Sequence, residues 1–164
     1  MAEPAGERPT ARVVTASDRA AAGVYEDRSG PIVVEALAGL GFAVEPAVVV
    51  PDGDPVGAEL RRAVADGVAV VVTTGGTGIG PADRTPEVTR AVLDYELPAV
   101  AQAIVAHGLA QGVPTAVLSR GVAGVAGRTL VVNLPGSRGG VRDGMAVLGP
   151  VLPHAVAQLR GEDH

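Results

Sequence analysis

Val68–Gly80 reads VAVVVTTGGTGIG. Its first half, Val68–Thr73, is apolar nearly throughout and lacks the polar alternation of a strand with one wet face. Such a run marks a strand buried on both sides, in a sheet covered by helices on both faces. Its second half, Gly75–Gly80 (GGTGIG), is too rich in glycine to continue the strand and opens a loop. Thr85-Pro86-Glu87 then restarts the chain as a helix, with Thr85 as cap and Pro86 in the first turn. Buried strand, glycine loop and helix start in succession make one unit of an α/β domain.

The alternation extends both ways. Downstream, Pro98 opens an amphipathic helix to about Gln111. Thr115–Ser119 and Gly121–Gly127 are short and ambiguous, a small strand pair being one reading. Leu130–Asn133 (LVVN) repeats the buried-strand pattern and runs into Leu134-Pro135-Gly136-Ser137. Val141–Leu159 is helical, with a break near Gly149-Pro150. Upstream, Asp54-Pro55 starts a helix that runs to about Asp66 and stops at Gly67. Phe42–Val50 reads as one strand before the tight PDGDP segment, Pro51–Pro55. Ile32, Val33, Leu37 and Leu40 give the stripe of a helix that begins near Ser29 and Pro31. Arg12–Ala16 is the first strand, followed by a polar loop, Ser17–Gly30. The expected fold is a three-layer αβα sandwich with a mainly parallel central sheet. Residues 1–10 are expected to form a flexible arm and 11–164 a single domain.

Composition narrows the function. The chain has 164 residues, 47% hydrophobic and 19% charged, the balance of one globular domain. Its net charge of −5 and its 2% aromatic content argue against a nucleic-acid partner, which calls for basic surface and stacking rings. Cysteine is absent, so thiolate chemistry and disulfides are excluded. Lysine is absent too, which excludes a P-loop lysine or a Schiff base. His107, His154 and His164 lie too far apart in sequence for a histidine zinc motif. No run reaches membrane-spanning length, and the polar opening MAEPAGERPTAR lacks the apolar core of a signal peptide. A cytoplasmic protein is expected.

In parallel α/β sheets, ligands gather at the carboxyl ends of the strands. Those ends here are Ser17-Asp18, Asp52, Thr74–Gly78 and Asn133–Ser137. The GGTGIG loop is not a dinucleotide fingerprint, because position 81 is Pro81 rather than glycine. It is either a tight strand-to-helix turn or a cradle whose backbone N–H groups approach an anion or flat ring. Asp52 reads as a turn or capping residue, or as a Mg²⁺ ligand; Asp83 follows the glycine loop. Mg²⁺ takes one or two protein carboxylates together with phosphates and water, so the two aspartates suit it if their strands are neighbours. Arg19, Arg28, Arg84, Arg120 and Arg138 each lie near one of these loops, as surface residues or as phosphate partners.

The pieces SDR (17–19), AGVYEDRSG (22–30), PD (51–52), TTGGTG with Asp83 and TPE (73–87), LSR (118–120) and NLPG (133–136) occur in an order and at a spacing that resemble the MogA/MoaB family of molybdenum cofactor biosynthesis proteins. The resemblance runs from about Arg12 to Leu159. It implies a three-layer molybdopterin-binding fold, a homotrimer, and transfer of AMP from ATP to the terminal phosphate of molybdopterin with Mg²⁺ and release of pyrophosphate. It implies that Asp52 and Asp83 are the essential carboxylates and the metal ligands. It further implies that Thr74, Gly75, Gly76, Thr77, Gly78, Ser119, Pro135, Gly136, Ser137 and Asp27 bind substrate, and that a downstream enzyme inserts molybdenum. The chain departs from many members at Ala82, where they carry Arg, and at Ser137-Arg138-Gly139, where they carry Asn-Pro-Lys. Two other readings are a non-catalytic molybdopterin carrier of the same fold and a tubulin-like GTP binder, for which the chain is short.

Overall fold

The computed structural model describes residues 6–162. Seven strands form one sheet: β1 (Thr10–Ala16), β2 (Ala43–Val44), β3 (Val48–Val50), β4 (Val70–Thr74), β5 (Tyr95–Glu96), β6 (Ala123–Ala126) and β7 (Thr129–Leu134). β2 and β3 both pair with one edge of β1, and the order continues β1-β4-β7-β6-β5. The pairings from β2 and β3 through β7 are parallel, and β6 and β5 add antiparallel. The helices are α1 (Asp18–Ala21), α2 (Gly30–Gly39), α3 (Asp54–Ala65), α4 (Thr85–Arg90), α5 (Pro98–Ala110), α6 (Arg138–Leu148) and α7 (Leu152–Leu159).

Strand alternation sorts the core into two layers. Val70 and Val72 of β4 face one side, with Val33 and Leu37 of α2, Val141 and Leu148 of α6, and Leu152 of α7. Val71 and Val131 face the other, with Val56 and Leu60 of α3 and Val88 of α4. Every residue of β4 is buried, as its apolar run predicts. The three-layer αβα expectation holds. Among the described residues, no helix is long and apolar enough to cross a membrane.

Several local expectations are corrected. The strand expected over Phe42–Val50 is broken into β2 and β3 around Pro46, which has no N–H to give the ladder. Thr85 does not cap α4: it is the first helical residue, Arg84 holds the cap position, and the Thr85 hydroxyl is buried without a partner among the described residues. Pro114–Leu118 is a 3₁₀ turn rather than a strand, and β6 pairs instead with β7 and with β5, which the sequence did not announce. Of the expected N-terminal arm, residues 1–5 lie outside the described residues, and Thr10 already opens β1.

Asn133 pins the centre of the sheet to the α4 layer. Its amide donates to the hydroxyls of Thr73 (2.9 Å) and Thr89 (3.1 Å), and its oxygen accepts the N–H of Val122 (3.1 Å). All of these groups are buried. Asn133→Ala orphans the Val122 N–H in a dry interior and is expected to cost about 2–3 kcal/mol. Urea unfolding would show a lower midpoint at unchanged slope.

Candidate active site

The carboxyl ends of β1, β3, β4 and β7 open on one edge of the sheet, where the loops after them meet. Glycine makes the meeting possible. Gly75 and Gly76 take φ of +88° and +67°, values that side chains disfavour. A β-carbon on Gly75 would overlap the Ala16 carbonyl of β1, and one on Gly76 would overlap Thr85 Oγ1 and Asp52 Oδ2. One on Gly136 would stand 3.2 Å from Gly75 Cα. The loop is packed from three sides by β1, Asp52 and the β7 turn. Beyond Gly75, whose N–H donates to Leu134 O (3.0 Å), the N–H groups of Gly76, Thr77, Gly78 and Ile79 find no partner among the described residues. Successive free N–H groups form an anion-binding concavity.

Two cavities flank the ridge made by Gly75 and Gly136. The first, about 630 Å³, is lined by Thr15, Ser17, Tyr25, Asp27, Arg28, Thr74 and Arg138 among others. Arg28 and Arg138 enter no ion pair among the described residues. The second, about 620 Å³, is bounded by Gly75–Ile79, Asp83, Ser119 and Pro135–Ser137, with an apolar wall of Ile104, Val105, Val113 and Leu118.

Each expected site residue can now be placed. Gly76, Thr77, Gly78, Ser119, Pro135 and Ser137 line the second cavity, and Gly75 and Gly136 line both. Thr74 walls the first; its buried hydroxyl is hydrogen-bonded to Ser29 Oγ (3.0 Å). Asp27 also lines the first cavity, but both its oxygens are engaged. Oδ2 accepts from Thr15 Oγ1 (2.8 Å), and Oδ1 accepts from the N–H groups of Ser29 (3.2 Å) and Gly30 (3.0 Å). It therefore anchors the start of α2. Ser137 caps α6 by accepting the Gly140 N–H (3.0 Å).

The aspartate pair is built differently from the sequence expectation. β3 and β4 are not neighbours, because β1 lies between them. Asp52 still reaches the loop after β4, where its Oδ1 accepts the N–H of Arg84 (3.1 Å). It does not cap α3, whose cap position is Gly53 with no side-chain bond. Burial holds the Asp52 carboxyl above its ordinary range; the N–H groups of Arg84 and Gly53 draw it partly back, and the charges of Asp83 and Asp18 push it up again. Asp83 Oδ2 accepts the Gly80 N–H (2.9 Å) and thereby closes its own turn. Neither aspartate is ion-paired among the described residues. Among the described residues, no group of three His, Asp or Glu is placed to hold a metal. Two uncompensated carboxylates fit a cation that completes its shell with phosphate and water.

A family model described as the probable molybdopterin-binding domain matches residues 12–154. The chain belongs to this family. A solved MogA structure is 59% identical, with a TM-score of 0.89 over 92% of this chain and 99% of that one. The molybdopterin biosynthesis Mog protein from Mycobacterium ulcerans is 51% identical, with a TM-score of 0.90 over 96% and 100%. The molybdopterin adenylyltransferase of Helicobacter pylori is 37% identical over 91% of this chain and 86% of that protein. The chain spans about half the length, 48% and 50%, of the bifunctional molybdenum cofactor biosynthesis proteins of Synechococcus elongatus and Chlorobaculum tepidum that it also matches.

Within this molybdopterin-binding domain, two residues to which the sequence assigns no definite role are built into the loop cluster. Asp18 Oδ1 accepts the Asp52 N–H (2.9 Å), so it fixes the backbone that carries Asp52. Arg120 binds the glycine loop and pairs with Glu87, and its hydrogen bond holds the Glu87 carboxyl below the ordinary range. Arg84, the arginine nearest Asp83, is turned to Asp54 (3.4 Å). His107 sits between α5 and α6, 3.8 Å from Asp143, and takes no part in the loop cluster.

Proposed function

We propose that this chain transfers AMP from ATP to the terminal phosphate of molybdopterin and releases pyrophosphate. The observation that carries the reading is the pair of similar cavities that meet at the Gly75–Gly136 ridge; Asp83 lines the second, and Asp52 stands against Gly76 without lining either. Two substrates need two compartments with one junction. Arg28 and Arg138 make the first cavity suitable for a polyphosphate. The apolar wall and free N–H groups of the second suit a flat heterocycle with a phosphate attached.

The nucleophile is a phosphate oxygen of molybdopterin, ionised at neutral pH, so no general base is required. Its lone pair forms the new bond to the α-phosphorus of ATP, and the bond from that phosphorus to the β-bridging oxygen breaks. The electrons leave with pyrophosphate. The protein's task is alignment and offsetting charge. The loop N–H groups and the two arginines hold phosphate oxygens in place. Mg²⁺, held by Asp52 and Asp83, would supply positive charge at the transferred phosphate.

Incubation of the chain with molybdopterin, ATP and Mg²⁺, followed for adenylylated pterin and pyrophosphate, tests the reading. Stoichiometric formation of both supports it. Tight molybdopterin binding without pyrophosphate supports the carrier reading. One observation favours that alternative: Asp52 and Asp83 each accept a loop N–H, as structural staples do.

The proposal extends to a cytoplasmic homotrimer that delivers adenylylated molybdopterin to a molybdenum-insertion enzyme. Supporting the oligomer, Leu97–Ser119 contains no charged residue, and α5 buries only Gly108 within its own chain. Leu109, Val113, Val117 and Leu118 stand exposed. A helix apolar all round is normally covered. Light scattering is expected to give about three times the 16.3 kDa chain mass, and Leu109→Glu with Val117→Glu to give monomers. A wild-type monomer at micromolar concentration would remove this part.

A further inference from the structure

Arg120 stands between the 3₁₀ turn and β6 and takes hold of one loop at several points. Its backbone N–H donates to Thr77 O (2.8 Å), its Nε to Gly78 O (2.8 Å) and its Nη2 to Asp83 O (2.9 Å). Nη1 pairs with Glu87 on the first turn of α4. Every guanidinium nitrogen thus has a partner inside the chain, so Arg120 is not a spare cation for substrate phosphate. A planar fork with separated donors reaches such scattered acceptors, and a lysine ammonium does not.

The peptide bonds of the loop are trans. In a trans peptide the carbonyl and the following N–H point in opposite directions. With the carbonyls of Thr77, Gly78 and Asp83 turned to Arg120, the N–H groups of Gly78, Ile79 and Arg84 point away from it. The Arg84 N–H is the one that meets Asp52 Oδ1. Those of Gly78 and Ile79 find no partner among the described residues, and both residues line the second cavity. One peptide unit, Asp83–Arg84, therefore links Arg120 on one side to Asp52 on the other.

We infer that Arg120, steadied by Glu87, is a positioning residue that sets the Thr77–Arg84 loop and, through the Asp83–Arg84 peptide, the place of the Asp52 carboxylate. It touches neither substrate in this assignment. Its effect on turnover rests on the adenylyl-transfer reading; its effect on the loop does not.

The experiment has two arms on the full chain, with Arg120→Gln, Arg120→Lys and Glu87→Gln. Without ligand, amide hydrogen exchange at Arg84 and Thr85 is expected to quicken about tenfold in Arg120→Gln. Exchange at Val71 and Val132 in the core stays unchanged, and Arg120→Lys recovers part of the protection. In the turnover assay, kcat is expected to fall about 100-fold in Arg120→Gln, with KM for molybdopterin moving far less. Arg120→Lys and Glu87→Gln fall between. Unchanged exchange at Arg84, equal quickening at Val71 and Val132, or a rise in KM at constant kcat overturns the inference. If Arg120→Gln does not fold, the same readouts on the two milder variants decide. Wild-type chain that shows the exchange pattern in its variants but no turnover sinks the adenylyl reading and leaves the clasp standing.

Discussion

Asp52→Asn is expected to abolish adenylyl transfer, by roughly 1,000-fold or more, in a chain that melts no earlier than wild type. The two halves of this result come from the same surroundings. Burial and the charges of Asp83 and Asp18 hold the folded-state carboxyl above its unfolded value, near 3.8. Between the two values the folded chain binds the extra proton, so the stability this group contributes is fully present below about pH 3.8 and is lost as pH rises through the folded value. At neutral pH the ionised carboxylate supports the fold less well than its protonated form would. Asparagine stays neutral at every pH and keeps an oxygen to accept the Arg84 N–H. In the proposed reaction, the chemistry loses the negative charge that would hold a cation beside the transferred phosphate. Thermal melts at pH 4 and pH 7 in EDTA, beside the turnover assay, check both halves: the wild-type chain should lose ground to the variant as pH rises. A variant that melts earlier at pH 7 would mark Asp52 as a structural staple instead.

What the sequence revealed follows from where each signal resides. β4 was legible because burial on both faces writes itself into five consecutive positions, and the loop after it because Gly75 and Gly76 need backbone angles that other residues avoid. β5 was not, since two exposed residues, Tyr95 and Glu96, gain strand geometry only from pairing with β6. Gly124 shows the same dependence from the other side: a β-carbon there would overlap Tyr95 O, a contact that local sequence does not encode. Pro46 carries the signal for the break between β2 and β3, set against the strand pattern of the apolar residues around it. In the site, the sequence singles out Asp52 and Asp83 on the condition that their strands are neighbours; β1 lies between β3 and β4, and strand adjacency cannot be read from order alone. The roles of Asp18 and Arg120 were invisible for a related reason. Asp18 meets a partner 34 residues away, and the Arg120 side chain meets partners 33 to 42 residues away. A charged residue in a loop looks the same whether or not such a partner exists.

Gly75→Ala is expected to be the most damaging single-methyl change in the glycine loop, and comparison with Gly76→Ala separates folding from chemistry. At Gly75 the new β-carbon meets the Ala16 carbonyl, part of a central strand that β3 and β4 clamp from both sides. No side-chain rotation relieves that overlap. The φ of +88° adds the ordinary cost of a left-handed alanine. Together these are expected to remove roughly 2–5 kcal/mol of stability. At Gly76 the overlaps are with Thr85 Oγ1 and Asp52 Oδ2, side-chain atoms that can move. The stability loss there is expected to be smaller, about 1–3 kcal/mol, but the movement displaces the carboxylate on which the proposed chemistry depends. Denaturant unfolding should therefore rank Gly75→Ala well below Gly76→Ala, while turnover per folded molecule of Gly76→Ala falls at least 100-fold. If Gly76→Ala kept its turnover, Asp52 would have room to spare, and the close packing of loop and carboxylate would serve folding alone.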